Sequence, residues 1–241
     1  MDKNSNAYTF IFAIAMVIVV AVTLSFTATT LSPMQKENVR KEKMQNILAT
    51  IGVETDREQA EELYNKYITE ELSLNSDGNV KENVDAFSVE LSKELAKTIQ
   101  EQTFPLYVAD YEGSQYFIAP LRGNGLWDAI WGYIALKDDV NTVKGVIFDH
   151  KGETAGLGAE ITQDWFQERF VNEKVFDGQG KLVGVNVVKG YSGGNDKDDN
   201  KVDSISGATI TSDGVSEMIE KRLQNYLPYF KKNKNTKIAI R

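Results

Sequence analysis

A run of small and hydroxyl-bearing residues near the C-terminus is the part of the chain best suited to chemistry. Ser206, Gly207 and Ala208 leave the backbone uncovered, and hydroxyls follow at Thr209 and Thr211. Apolar residues then recur at helical spacing, at Val215, Met218, Ile219, Leu223 and Tyr226. Free amides and the dipole of a helix N-terminus favour an anion there. Because Ser, Thr and Asp also cap helices, an ordinary capped helix is the alternative interpretation.

A second candidate stretch, residues 150–158, has the sequence HKGETAGLG. It follows residues 143–148, whose apolar pattern predicts a buried strand. Gly156 and Gly158 lie on either side of Leu157, so the backbone can bend sharply and press closely against a flat group. A plain connection between a strand and a helix is the alternative interpretation.

Residues 203–209, with the sequence DSISGAT, resemble the flavin-attachment motif of membrane-bound respiratory flavoproteins. That motif runs Asp, two variable or small residues, Ser or Thr, Gly, Ala and Thr. In this covalent FMN-binding domain family the final threonine carries FMN through a phosphoester, and the matching residue here is Thr209. The further cofactor-binding positions that the resemblance implies in this stretch are Ser206, Gly207, Ala208 and Thr211.

The same family has a similar loop beneath the isoalloxazine ring of the flavin. The positions implied in this chain are Glu153, Thr154, Gly156, Leu157 and Gly158. The family usually has proline where this chain has Ala155, so a backbone constraint is absent and the shape of the loop stays open.

Two further residues are cofactor candidates by resemblance. Trp127 is expected near the ring, and Lys189 near the polar edge or the phosphate of the flavin. An indole can stack on a flavin, and a lysine can stabilise a reduced anionic ring. The alternative interpretations are a tryptophan of the core and a lysine of the surface.

Composition excludes several other classes of function. The chain has no cysteine and one histidine, which excludes disulfides and iron–sulfur ligation and argues against a zinc site. The sequence contains no Gly-x-Ser-x-Gly elbow, phosphate-binding loop or dinucleotide fingerprint. A formal net charge of -8 argues against binding to nucleic acid.

Residues 8–31 form an almost unbroken apolar run without charge. About 20 such residues cross a bilayer, so the run predicts a single transmembrane helix. The alternative is a cleaved signal peptide with Ala28 near the cleavage point. The run is long for a signal peptide, and Lys3 is the only basic residue before it.

The orientation of this helix has two conflicting predictions. The basic residues after it favour the cytoplasm by the positive-inside rule; they are Lys36, Arg40, Lys41 and Lys43. The family places its large domain on the periplasmic side of the bacterial inner membrane. Because Glu37 and Glu42 interrupt the basic cluster, we expect the family's orientation.

The remaining pattern predicts an α+β domain with an antiparallel sheet and flanking helices. The resemblance implies that this domain binds FMN and lies outside the cytoplasm. Helices are predicted at residues 39–53, 56–71, 89–99 and 163–170, and at the C-terminus as far as residues 228–230. Strands are predicted in residues 107–119, ending at Pro120, and at 134–136, 143–148 and 182–188. The predicted organisation is a tail at 1–7, the transmembrane helix at 8–31, a helical connector at 32–103, the FMN-binding domain at 104–230 and a basic tail at 231–241.

The resemblance covers nearly the whole chain and is closest to FMN-carrying subunits of sodium-translocating NADH:quinone oxidoreductases. It implies a subunit without complete activity alone, which relays electrons from NADH, FAD and iron–sulfur carriers towards ubiquinone together with other membrane subunits. It also implies a separate flavin transferase that attaches FMN. The alternatives are the related ferredoxin:NAD oxidoreductase complex and a membrane-tethered binding module without a redox role.

Overall fold

The computed structural model describes residues 5–193 and 196–233. The helices are α1 Asn6–Ala49, α2 Ala60–Tyr67, α3 Leu91–Glu94, α4 Asp164–Gln167, α5 Thr209–Gln224 and α6 Leu227–Lys232, with 3-10 turns at Ala86–Ser88, Gly158–Thr162 and Glu168–Phe170. The strands are β1 Ile68–Leu74, β2 Phe104–Tyr111, β3 Ser114–Asn124, β4 Ala129–Lys137, β5 Val143–His150, β6 Asn186–Val188 and β7 Lys201–Asp203.

Within the described residues, β1 to β5 form one antiparallel sheet in chain order. Each strand pairs with the next, as in the β3–β4 pair, which runs from Tyr116 opposite Lys137 to Asn124 opposite Ala129. The strands β6 and β7 form a separate parallel pair, with Val188 opposite Asp203. The predicted α+β class and antiparallel sheet are therefore confirmed.

The sheet is covered on both faces. Successive side chains of a strand point to opposite sides, so alternate residues of one strand join different cores. Leu106 and Val108 join the larger core, which includes α5 and the 3-10 turns. Tyr107 and Ala109 join a second core with the C-terminal end of α1 and with α2. This arrangement explains why β2 is apolar at consecutive positions.

The chain divides into two compact units, residues 1–43 and residues 44–241. Helix α1 includes an 18-residue window of mean hydropathy 2.6 that is not buried, and it is long and apolar enough to cross a membrane. The predicted apolar segment and the helix predicted after it, at 39–53, are one continuous helix that ends at Ala49.

The basic tail predicted at 231–241 lies outside the described residues from 234 onwards, as do residues 1–4 of the N-terminal tail.

The N-terminal half of the domain contains less helix than the sequence predicted. The prediction for 56–71 was wrong at its end, because residues from Ile68 onwards pair with β2 as strand β1. The prediction for 89–99 was wrong in length, because only Leu91–Glu94 is α-helical. The Glu94 side chain accepts a hydrogen bond from the Thr103 amide at 2.8 Å, which turns the following segment back towards β2. Residues 32–103 therefore contribute a strand to the sheet.

Two strand predictions also needed correction. Strand β3 continues past Pro120 to Asn124, and this is possible because its pairing with β2 stops at Ile118. The strand predicted at 182–188 is shortened to Asn186–Val188. Gly184 interrupts it with a φ of +66°. The C-terminal helix was predicted to continue as far as residues 228–230, but α5 ends at Gln224. Pro228 lies in the first turn of a separate helix, α6.

Gly132 is a point where β4 and β5 approach too closely for a side chain. A Cβ atom there would lie 1.8 Å from the Ile147 carbonyl oxygen, so we expect Gly132→Ala to lower the free energy of unfolding by about 1–3 kcal/mol. Urea titration of the full chain in detergent measures this change. The matched control is Gly178→Ala, whose Cβ would meet nothing within 4 Å, and we expect it to change stability by less than about 0.5 kcal/mol. Equal effects of the two substitutions would contradict the explanation.

Candidate functional site

The two stretches singled out in the sequence meet at one cavity of about 210 Å³. The first stretch enters α5 and the second follows β5, and these elements are far apart in the chain. The residues that line the cavity are Leu126, Glu153, Thr154, Leu157, Gly158, Gly207, Ala208, Thr209, Ile210 and Thr211. The fold therefore brings together most of the residues predicted for the site.

Helix α5 begins at Thr209, directly at this cavity. Its N-cap residue is Ala208, and no side chain in the described part of the chain caps the helix. The capped helix considered from the sequence is therefore not what the structure shows. Uncapped amides of the first turn and the helix dipole make this end of α5 favourable for a negatively charged group.

The three hydroxyl groups in the first turn of α5 differ in environment. Thr209 is exposed at the mouth of the cavity, whereas Thr211 and Ser212 are each 1% exposed. The Thr211 hydroxyl donates a hydrogen bond of 2.6 Å to Glu153 Oε2. Thr209 is thus the hydroxyl that a solvent-borne group can reach.

Glu153 joins the two stretches and a third segment of chain. Its Oε2 accepts the bond from Thr211, and its Oε1 accepts a bond of 2.9 Å from the Trp127 amide. Burial favours a higher pKa for Glu153, but the hydrogen bonds from Thr211 and from the Trp127 and Asp128 amides outweigh it and hold the pKa below its ordinary value. Glu153 is therefore a buried carboxylate that holds the site together.

The loop after β5 is compact and closely packed. Gly156 has a φ of +76°, which favours glycine, and the amides of Leu157 and Ala159 both donate to the Thr154 carbonyl at 3.1 Å. A Cβ atom at Gly158 would lie 2.3 Å from Glu153 Oε2, so only glycine fits against the carboxylate. The sequence left the shape of this loop open because Ala155 stands where the family usually has proline. In the structure the loop is a tight turn around Thr154.

The loop also touches the motif that leads into α5. A Cβ atom at Gly207, whose φ is +77°, would lie 2.8 Å from Cδ2 of Leu157. Leu157 remains 40% exposed, so its side chain forms part of the rim of the cavity. Two loops without bulky covering side chains thus face each other across the site.

Trp127 and Lys189 lie in different positions relative to this cavity. Trp127 is 69% exposed and is not part of the core, and its indole Nε1 donates to Thr154 Oγ1 at 3.2 Å. Lys189 is exposed, follows β6, and is not among the residues that line the cavity. Its role at a flavin stays a prediction from the resemblance.

Sequence reasoning missed several residues that shape the site. Leu126 and Ile210 line the cavity. They are the direct sequence neighbours of Trp127 and Thr209, and this is the feature of the sequence that could have indicated them. Arg169 donates a hydrogen bond of 2.6 Å to the Asp203 carbonyl oxygen, and its guanidinium lies 4.7 Å from the Trp165 ring. No local pattern indicates Arg169, because its partner is 34 residues away in the chain.

The position of α5 depends on close contact with the end of β3. A Cβ atom at Gly214 would lie 2.2 Å from the Asn124 carbonyl oxygen, and one at Gly123 would lie 2.8 Å from Met218 Cβ. On its other side, Ser216 Oγ accepts a hydrogen bond of 2.8 Å from the Val187 amide in β6. These contacts fix the N-terminus of the helix against the Glu153 loop.

The cavity fits part of a flavin nucleotide. It has an exposed hydroxyl at an uncapped helix end for a phosphate and glycine-containing walls for close approach of a flat ring. At about 210 Å³ it is smaller than the usual pocket of about 300–1,000 Å³ for a whole ligand. The exposed apolar side chains of Leu126, Trp127, Leu157 and Ile210 extend the surface beyond it. The residues present are therefore compatible with FMN held at a partly open site.

Comparison with known proteins defines the class of the domain. Residues 125–224 match the model of the family described as FMN-binding domain. This range contains Trp127, Glu153, Lys189 and Thr209, and it ends at the last residue of α5. The chain thus contains an FMN-binding domain.

Three relatives extend the match beyond that domain. The C subunit of the Na(+)-translocating NADH-quinone reductase from Neisseria meningitidis is 43% identical over 49% of this chain and 45% of its own length, so the chain spans about half of that relative. The protein of the same name from Haemophilus ducreyi is 32% identical over 78% of each chain. The crystal structure of its counterpart from Parabacteroides distasonis is 40% identical, with a TM-score of 0.74 over 83% of this chain and 96% of that one. The chain belongs to the family of Na(+)-translocating NADH-quinone reductase C subunits, which confirms the resemblance seen in the sequence.

The Glu153–Thr211 hydrogen bond yields a test of the site's stability. Thr211→Val leaves the buried carboxylate without its closest donor, so we expect the free energy of unfolding at neutral pH to fall by about 1.5–3 kcal/mol. Because the folded protein lowers the pKa of Glu153 below 4.5, this stabilisation is complete above pH 4.5 and decreases as the pH falls through the folded value.

Urea titrations between neutral and acidic pH measure both effects. The control is Thr154→Val, which removes the exposed bond from the Trp127 indole and should cost about 1 kcal/mol or less at every pH. A Thr211→Val loss that stays constant down to the most acidic pH would contradict the assignment to the Glu153 carboxylate.

Proposed function

We propose that the chain is an electron-carrying flavoprotein subunit of a sodium-translocating NADH:quinone reductase, with FMN joined to Thr209 by a phosphoester. The observation that carries the proposal is the exposed Thr209 hydroxyl at the uncapped N-terminus of α5, inside a matched FMN-binding domain. FMN supplies reversible uptake and release of electrons when it is bound. The chain's own residues hold, orient and partly cover it.

The choice of Thr209 over its neighbours rests on accessibility. Thr211 and Ser212 are buried, and the Thr211 hydroxyl is already bonded to Glu153. Ser206 is exposed but lies three residues before the start of α5, whereas Thr209 is the first helical residue. A phosphate at Thr209 lies within reach of first-turn amides and of the positive end of the helix dipole.

Attachment requires a separate flavin transferase and FAD as its substrate. The Thr209 oxygen forms a new bond to the phosphorus of the FMN moiety, the pyrophosphate bond of FAD breaks, and AMP leaves. The threonine proton is released and no electrons are transferred. Arg169 holds the carbonyl oxygen of Asp203 and so anchors the beginning of the sequence that the transferase must recognise.

The partly open site suits a relay of electrons between subunits. Leu126, Trp127, Leu157 and Ile210 are each at least 40% exposed around the cavity, so a partner protein can approach this edge. In this proposal the electrons come from NADH through other cofactors and continue to a quinone such as ubiquinone. The neighbouring membrane subunits supply those cofactors, and this chain alone has no complete activity.

The proposed location is the bacterial inner membrane, with α1 as a single-pass anchor and the FMN-binding domain on the periplasmic side. The support is the length and apolar composition of α1 together with membership of the family. A phosphoester bond prevents loss of the cofactor outside the cytoplasm, where the cell cannot readily replace it.

The attachment site is tested by Thr209→Ala. We expect complete loss of covalent flavin while the domain folds with its stability changed by less than about 0.5 kcal/mol, because Thr209 is exposed. Flavin fluorescence of the denatured protein band and mass spectrometry of the peptide measure the result. Asp213→Ala is the control, because Asp213 is an exposed residue of α5 that does not line the cavity, and it should retain FMN on Thr209. Covalent flavin that persists in Thr209→Ala, or a modified Thr211 in the native protein, would disprove the assignment.

The orientation in the membrane is tested by protease accessibility in cells that make the protein. We expect the protein to stay in the membrane fraction through high-salt washing, because α1 is apolar. Protease added to intact spheroplasts should digest the domain that follows α1. If the domain is digested only after lysis, it lies in the cytoplasm, as the basic residues after the apolar segment favour.

A further inference from the structure

One arginine side chain holds the main chain at the start of the attachment motif, residues 203–209. Arg169 Nη1 donates to the Asp203 carbonyl oxygen at 2.6 Å, and a longer bond of 3.4 Å reaches the Ser204 carbonyl oxygen. Arg169 belongs to the 3-10 turn Glu168–Phe170, which packs in the larger core through Phe170. Because a charged donor forms a stronger hydrogen bond than a neutral one, this contact ties the first two residues of the motif to the body of the domain.

Arg169 is itself held in place on two sides. Its guanidinium lies 4.7 Å from the centre of the Trp165 ring, which is a cation–π distance. Its carbonyl oxygen accepts a hydrogen bond of 2.7 Å from Lys197 Nζ. The same Nζ lies 3.0 Å from Oε1 of Glu173, a residue that is 1% exposed. The fold therefore orients the guanidinium without an added partner.

This arrangement leaves the carboxylate of Asp203 available. Arg169 Nη1 and Asp203 Oδ2 are 3.9 Å apart, which is an ion-pair distance but too long for a hydrogen bond. The Asp203 side chain is 49% exposed. Arg169 thus binds the main chain of the motif and leaves its first carboxylate open to solvent.

The rest of the motif is partly buried and partly open. Ile205 and Ala208 are each 5% exposed, and the Ala208 amide donates to the Ile205 carbonyl oxygen at 3.1 Å. Ser206, Gly207 and Thr209 are exposed. A transferase can therefore contact the open residues without unfolding the domain.

We propose that Arg169 is a positioning residue for the attachment of FMN. By fixing the main chain at Asp203 and Ser204, it keeps the Asp203 carboxylate in one arrangement relative to the Thr209 hydroxyl. The inference rests on the proposed function, in which a flavin transferase uses FAD to modify Thr209. In that reaction the Thr209 oxygen displaces AMP at phosphorus and the threonine proton is released, so Arg169 takes no part in the bond changes.

The role of Arg169 has a kinetic signature. Without the guanidinium, the segment that begins at Asp203 adopts several conformations, and only a fraction of molecules presents the arrangement that the transferase binds. A reduced fraction of competent molecules raises the apparent dissociation constant in proportion. Once the chain is bound, the reacting groups are the same as before. We therefore expect a higher KM of the transferase for the chain and an unchanged kcat.

The experiment uses the full chain in detergent, made in cells without a flavin transferase, together with purified transferase and FAD. Fluorescence of covalent FMN at several concentrations of the chain separates KM from kcat. Arg169→Gln removes the charged donor and should raise KM about tenfold, with kcat changed less than about twofold. Arg169→Lys keeps a charged donor and should raise KM only about two- to fourfold, which is a partial rescue.

Lys81→Met is the matched control. Lys81 Nζ donates to the Gln102 carbonyl oxygen at 2.9 Å and to Thr103 Oγ1 at 3.0 Å, so it also binds main chain through a charged donor. None of these three residues belongs to the motif or lines the flavin cavity. Lys81→Met should lower the urea midpoint about as much as Arg169→Gln and leave KM unchanged.

Two results would overturn the inference and leave the proposed function intact, because FMN is still found on Thr209 in both. One is an equal KM for the unchanged chain and Arg169→Gln. The other is a rise in KM that Lys81→Met reproduces, which would show a general effect of stability. A wild-type chain without FMN on Thr209 would instead disprove the proposed function and the inference with it. If near-UV circular dichroism shows that Arg169→Gln does not fold, Arg169→Lys carries the test, and an unchanged KM in that variant overturns the inference.

Discussion

The buried carboxylate of Glu153 is the constraint on which the functional site depends. It accepts hydrogen bonds from Thr211 in α5 and from the Trp127 amide before β4, while its own backbone belongs to the loop after β5. Three segments that are distant in the chain are therefore held at one point. Since an uncompensated buried charge is strongly unfavourable, the carboxylate favours the one arrangement that supplies both donors.

Close backbone contact provides the second constraint, because the Thr211 hydroxyl can reach Glu153 only if α5 lies directly against the sheet. Gly214 and Gly123 allow this approach, and Gly158 leaves room for the carboxylate itself. A methyl group at any of these three positions would meet another atom at less than 3 Å. The glycines are thus part of the site although they carry no functional group.

Much of this arrangement could be predicted from the sequence, but not all of it. The motif around Thr209, the loop after β5 and the antiparallel sheet each leave a local or familiar pattern. By contrast, the pairing of β1 with β2 was missed, because residues 68–71 continue a helical pattern and only the contact with β2 makes them a strand. Arg169 was missed for a similar reason, since its partner, the Asp203 carbonyl oxygen, is brought close only by the fold.

The burial of Thr211 and Ser212 has a consequence for selectivity at this turn. Of the three hydroxyls in residues 209–212, the folded domain covers two and leaves one open. If FMN is attached as proposed, the fold and the motif therefore select the same residue independently, so that a reagent unable to read the motif would still meet Thr209 first.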